Sequence, residues 1–334
     1  MAKRPLTESE QVILDRLHPV HREALRRYQV IQEAIITKLR KERARRPASI
    51  IHHYTKPDVF PLILRSGELF LSDYSKMIDT SEIEYGFNTG MEVLQYELAD
   101  SWKTGRAKLL VWMMEQIAKE GLGKYLKGYV GCLSKAEDDL PQWREYGGGE
   151  TGFCLSFDEQ ELDKAFEAFK VGKAIYSGGG FEVVYDDARL RRIMKQYVDN
   201  ALHEATWLSD RPGRKNLWRA VWEIAANLAY AFIYTALYFK HWKYKSEHEY
   251  RYFVAVHPAD QIAARLTRPG KFGEEVEYFA MDWKTEHAHA LKQIWIGPAV
   301  TEAQGRETIR QVLEREGIGV GDIRMSLAPP TRRG

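Results

Sequence analysis

The stretch Glu247-His248-Glu249-Tyr250-Arg251-Tyr252-Phe253-Val254-Ala255-Val256, EHEYRYFVAV, decides the fold class. Its aromatic and β-branched residues follow a charged opening and read as an apolar strand. Downstream, EVEYFA (275–280), QIWIG (293–297) and DIRMSL (322–327) read as further strands, with a helix over Thr301–Glu316. Upstream, residues Ala188–Lys240 read as one or two long helices. Strands and helices thus come partly in separate runs, the pattern of an α+β fold rather than a regular βαβ alternation. The expected architecture is a mixed, mainly antiparallel sheet flanked by helices.

Further upstream the same reading continues. Strand pairs are expected around Val171–Tyr176 with Phe181–Tyr185, split by SGGG, and around Tyr129–Ser134 with Gly152–Phe157, split by a short helix and the loop GGGET. Helical periodicity covers about Thr89–Lys119, and residues 74–87 read as acidic and irregular. SIIHHYT (49–55) is a strand, followed by a short helix, Gly67 as its stop and another strand. Residues 1–46 read as a helical arm: Thr7 and Glu10 form a capping box, and Leu25, Tyr28, Ile31, Ile35 and Leu39 form an amphipathic stripe. The expected division is this arm, then a single α+β domain over 47–334 with a helical insertion around 188–240.

Composition limits the function classes. With 44% hydrophobic and 29% charged residues, the 334-residue chain is globular rather than disordered. The longest apolar segment, Ile224–Phe239, is short and holds Asn227 and Thr235, so it reads as a buried helix and not a bilayer span. The N-terminus has no apolar run of the kind a secretory signal needs. Cys132 and Cys154 sit in apolar stretches without C-x-x-C spacing, which points to buried free thiols and a reducing, cytoplasmic setting. The net charge of +2 is uneven: residues 1–46 hold twelve Lys/Arg and six Asp/Glu, leaving the remainder at −4. Such an arm suits nucleic-acid contact, a solvated helix face, docking on the core or self-association.

Two constellations bear on chemistry. In His53-Tyr54-Thr55, the His and Thr share one face of a strand, where an imidazole and a hydroxyl can grip one ligand. In the opening stretch, Glu247, Glu249 and Arg251 are expected to share one face as well. Paired carboxylates serve reactions that pass through an oxocarbenium-like sugar, one holding the sugar and the other handling the acceptor's proton. The bland alternatives are a strand-edge His-x-Thr and a salt-bridged strand start. Arg144 is a candidate phosphate ligand. His287 and His289 form a His-x-His pair with no third ligand at metal spacing, so no metal is expected. Rossmann, Walker and G-x-S-x-G fingerprints do not occur.

Four blocks carry a family resemblance: HHYT with ILRSGELFLSD, GCLS with PQWREYGGGETGFCLSFD, KHWKYKSEHEYR, and QIWIGPAV. In this order, over about Ile50 to Leu313, they resemble a large bacterial family catalogued as domain of unknown function 2971. Two departures stand out. The family's Asn-Asp-Pro-x-Glu segment is here Ile78-Asp79-Thr80-Ser81-Glu82, and its Met before the Trp is Gln142. More distantly, His53-x-Thr55 before a helix and the Ser66-Gly67 turn is similar to the opening of ADP-ribosyltransferases. That resemblance implies NAD as substrate, with His53 on the adenosine-side ribose and Thr55 near the nicotinamide. It further implies Ser72 or Tyr74 as the second-strand residue, with Glu249 catalytic and Glu247 completing an E-x-E pair. The function so implied is an NAD-dependent ADP-ribosyltransferase-like enzyme, in the setting of a toxin or phage-defence effector, with a protein or nucleic-acid acceptor. The alternative is a non-catalytic nucleic-acid-binding or protein-interaction module. The enzymatic reading requires the Glu249 carboxylate to face His53 and Thr55.

Overall fold

The structure is a computed structural model that describes residues 18–44, 49–76, 81–98, 106–122, 127–173, 175, 178–208, 217–256, 266–270 and 273–330. The Thr7–Glu10 capping box and residues 77–80 lie outside them.

The strands are β1 (Ile50–Thr55), β2 (Glu68–Asp73), β3 (Lys127–Ser134), β4 (Phe153–Asp158), β5 (Gly178–Glu182), β6 (Glu249–Val256), β7 (Leu266–Pro269), β8 (Glu275–Asp282), β9 (Leu291–Ile296) and β10 (Asp322–Met325). They form one sheet in the order β10-β9-β4-β1-β3-β2-β8-β7, with β6 paired to both β3 and β5. Every pairing is antiparallel except β9 with β10. The mixed, mainly antiparallel α+β architecture is the one the strand and helix runs imply.

Helices cover both faces of the sheet. On one side lie α1 (Pro19–Ala44), α3 (Ser81–Leu98), α4 (Arg106–Glu120), α7 (Asp187–Trp207) and α8 (Leu217–Ala236). On the other lie α2 (Phe60–Ser66), α6 (Glu159–Gly172) and α9 (Glu302–Glu316), packed through Phe60, Leu64, Leu162, Phe166 and Ile309. A central strand covered twice must be apolar on both faces, and all eight residues of β6 are buried. The last helix, α5 (Leu140–Glu145), seats Trp143 on Tyr54, Cys154 and Trp295, which stand in register across β1, β4 and β9. No helix among the described residues is long and apolar enough to cross a membrane. The two cysteines are free thiols.

Two expectations change. Val171 belongs to the end of α6, not to a strand, because the amphipathic repeat Leu162, Ala165, Phe166, Phe169 carries the helix to Gly172. The helix expected from Thr89 begins at Ser81, where Glu82 and Glu84 supply the acidic first turn that favours a helix start. Of the roles open to the arm, docking on the core is the one its described part takes: α1 lays Ala24, Leu25, Tyr28, Ile35 and Leu39 into the helical layer over α7 and α8.

β3 is the branch point of the sheet. One edge pairs along its whole length with β6, while the other meets β1 at Ser134 and β2 at Val130 and Tyr129. Strands β1 and β2 therefore diverge from a common neighbour, and this fork sets where the site residues fall.

Candidate functional site

Glu249 opens β6 directly opposite Ser134 of β3, which in turn stands opposite His52 of β1, itself opposite Ser156 of β4. Residues directly opposed in antiparallel strands share a face, so Ser156, His52, Ser134 and Glu249 form one row. The His52 Nδ1 lies 2.8 Å from Ser156 Oγ. Burial holds the His52 ring neutral, with its pKa down to about 4. Ser134 Oγ donates to the Glu247 carbonyl at 2.8 Å, and Gln142 Nε2 donates to the same oxygen at 3.2 Å.

The chain reaches Glu249 through a 3-10 turn, Trp242–Glu247, closed by His248 in the left-handed region at φ 45°. Glu247 thus belongs to the turn and not to the strand, so the two carboxylates are not strand neighbours on one face. Lys240 brings them together. Its Nζ lies 2.6 Å from Glu247 Oε2, 3.2 Å from Glu249 Oε2 and 2.6 Å from Glu82 Oε1. Arg251 does share the Glu249 face and grips it with two bonds, Nε to Oε1 at 2.6 Å and Nη2 to Oε2 at 2.9 Å. The same guanidinium pairs with Glu82 and donates to the Leu237 carbonyl at 3.2 Å.

Three carboxylates therefore face two cations in a nearly closed space. Lys240 is 7% exposed, Glu249 5% and Arg251 4%. Burial alone would push the Glu249 pKa up, but Arg251, then Lys240 and a hydrogen bond from the Cys132 thiol, bring it down to about 2. Burial works against the charge on Lys240 as well, and Glu249 and Glu82 keep it protonated. Glu247 goes the other way: burial raises its pKa more than Lys240 lowers it. Glu82 and Glu249 each pair with both Lys240 and Arg251, whereas Glu247 pairs with Lys240 and is the most exposed of the three. Beside it stands half-exposed Tyr146 at the end of α5, whose phenol is pushed up by burial and by Glu247.

The other expected residues fall elsewhere. His53 and Thr55 alternate with His52 and Tyr54, so they point to the opposite face from Glu249. Thr55 is buried there, and the His53 ring donates to the Cys132 carbonyl where β1 and β3 part. The imidazole on the Glu249 face is His52, the other half of the His-His pair. Ser72 lies on β2 opposite Val130, on the Glu249 side of the sheet, and its Oγ accepts from Arg268 at 3.0 Å. Tyr74 is buried in the helical core beneath Gly128. Arg144 on α5 donates from Nε to buried Glu150 at 2.9 Å.

Lys240 and Glu82 escape a search by strand spacing because each lies on a different element from the pair it serves. A trace existed: Lys240 begins the KHWKYKSEHEYR block, and Glu82 is the acid kept in the altered segment 78–82. No curated protein and no solved structure matches the chain. Residues 142–252, which span Tyr146, Lys240, Glu247, Glu249 and Arg251, match the family model described as Protein of unknown function (DUF2971).

Proposed function

We propose that the chain is a carboxylate-dependent glycosyl-transfer enzyme of the ADP-ribosyltransferase-like kind, with NAD as the sugar donor. One observation carries the reading: Glu247 and Glu249 share the Lys240 ammonium, yet their surroundings drive their pKa values apart. Paired carboxylates separated in this way divide proton transfer from charge stabilisation. Glu247, partly open to solvent beside Tyr146, takes the acid–base role. Glu249 stays charged and, with Glu82, fixes Lys240 and Arg251. This assignment shifts the reacting carboxylate from Glu249 to Glu247, since Arg251 already occupies both Glu249 oxygens. The requirement that Glu249 face His53 and Thr55 fails, since both lie on the opposite face of the sheet. What survives is an acid–base reading of the Glu247–Glu249 pair, and NAD as donor rests on the distant resemblance of the His-x-Thr and E-x-E segments alone.

The test is turnover of NAD by the purified full chain, alone and with lysate proteins or nucleic acid as acceptors. Glu247→Gln should lower the rate by roughly 10²–10⁴-fold with the melting temperature held. Glu249→Gln should lower both, because it leaves Arg251 partly uncompensated in a buried site. If the wild-type chain neither binds nor consumes NAD, the donor assignment is wrong. A normal rate in Glu247→Gln removes its acid–base role.

A further inference from the structure

We infer that Glu161, His287 and His289 form a binding site for a divalent transition-metal ion, with zinc the best match to their donors. The three side chains come from two separate elements: Glu161 from the first turn of α6, and the two histidines from the turn between β8 and β9. One ligand atom from each lies within 4.8 Å of the others. His289 Nε2 already stands 2.7 Å from Glu161 Oε2, and the two imidazole centroids are 6.2 Å apart with planes inclined by 50°. The sequence alone shows a His-x-His pair without a partner; folding delivers the third donor from a position 126 residues earlier in the chain, 287 minus 161.

The chemistry fits a borderline ion. Two imidazole nitrogens and one carboxylate oxygen are the ligand set of open, three-protein-ligand zinc sites, with water completing the tetrahedron. Bond lengths of roughly 2.0–2.2 Å place such donors about 3.3 Å apart, so rotation of partly exposed side chains closes the group around an ion. The backbone beneath them is fixed. Asp158 caps α6 by accepting from the Gln160 and Glu161 amides, which sets the direction of the first turn. The Ala290 amide donates to the His287 carbonyl at 2.8 Å, and Ala290 and Trp283 on either side are fully buried. Lys164 pairs with Glu161 through Oε1, leaving Oε2 turned toward the histidines. An ion here ties the β8–β9 connection to α6, far in the chain from the Lys240 cluster.

The experiment is titration of the tag-free, chelator-treated full chain with Zn²⁺, and with Co²⁺ to report coordination by its visible spectrum. One equivalent of Co²⁺ should give the strong bands of a four-coordinate ion, displaced by Zn²⁺. His287→Ala and His289→Ala should each weaken Zn²⁺ binding by more than the roughly 10–100-fold typical of an outer-shell change. Glu161→Gln should lower affinity in the same direction. Zn²⁺ should raise the melting temperature of the wild-type chain and not that of the His287→Ala/His289→Ala double variant, because an ion that binds only the folded form stabilises it by mass action. His289 is exposed, so its replacement leaves the fold intact and a lost signal reports the site. Weak six-coordinate Co²⁺ spectra, or Zn²⁺ affinity unchanged in the double variant, would overturn the proposal.

Discussion

At Glu249, burial and neighbouring charge act in opposite directions, and charge prevails. Its folded pKa, about 2, lies below the ordinary 4.5, so the stabilisation is present in full above pH 4.5 and disappears as pH falls toward 2. His52 contributes in a different window. Its folded pKa of about 4 lies below 6.5, so the unfolded chain takes up a proton that the folded chain refuses, and stability falls as pH drops from 6.5 to 4. Each loss amounts to about 3 kcal/mol at most. Urea midpoints measured across pH should therefore decline in two stages. His52→Asn should flatten the upper stage and leave the lower one, whereas an unchanged upper stage would assign it to other groups. Sequence alternation correctly separates His52 from His53, but it is silent on which of them meets Glu249. That depends on the pairing of β1 with β3.

Helix α3 shows how an element places a residue of the site. Gly86 and Gly90 stand one turn apart on its face toward α8, where an added Cβ at Gly86 would lie 2.3 Å from Ala236 Cβ and one at Gly90 2.4 Å from the Phe232 ring. The two helices cross closely there, and Glu82, one turn before Gly86, is carried to Lys240 and Arg251. Gly86→Ala should destabilise the chain by about 1–3 kcal/mol through overpacking. It should also displace Glu82, so Glu247, whose pKa is raised first by burial, should lose the part that the Glu82 charge adds, detectable by carboxylate titration in NMR. A stability loss with no change in that titration would mean that the crossing does not position Glu82. The acidic stretch around Glu82 looks irregular in sequence because its apolar spacing is sparse; helix-start acids and two contact glycines reveal the helix only once α8 is seen against it.

For the whole molecule, the N-terminal segment poses the sharpest question. Helix α1 buries Leu25, Tyr28, Ile35 and Leu39, sets Arg27 Nη2 2.6 Å from Glu204, and stacks the Arg27 guanidinium 4.0 Å over Trp207. Side chains of this kind stabilise by roughly 1.5–3 kcal/mol each when buried. Deleting residues 1–46 should therefore lower the urea midpoint sharply or cause aggregation; a midpoint left in place would mark α1 as dispensable to the fold. The amino-acid sequence by itself determined most of the elements, the strand at 249–256, that no described helix is fit to cross a bilayer, and the alternation of His53 and Thr55 with Tyr54 along one strand. Those properties follow from local periodicity and residue type, which need no knowledge of distant partners. Only the tertiary structure decided that His52 shares its face with Glu249 while His53 does not, that Lys240 and Glu82 complete the charge cluster, and that Glu161 joins His287 and His289. Strand register and helix crossings create these meetings, and both are set by contacts between segments far apart in the chain.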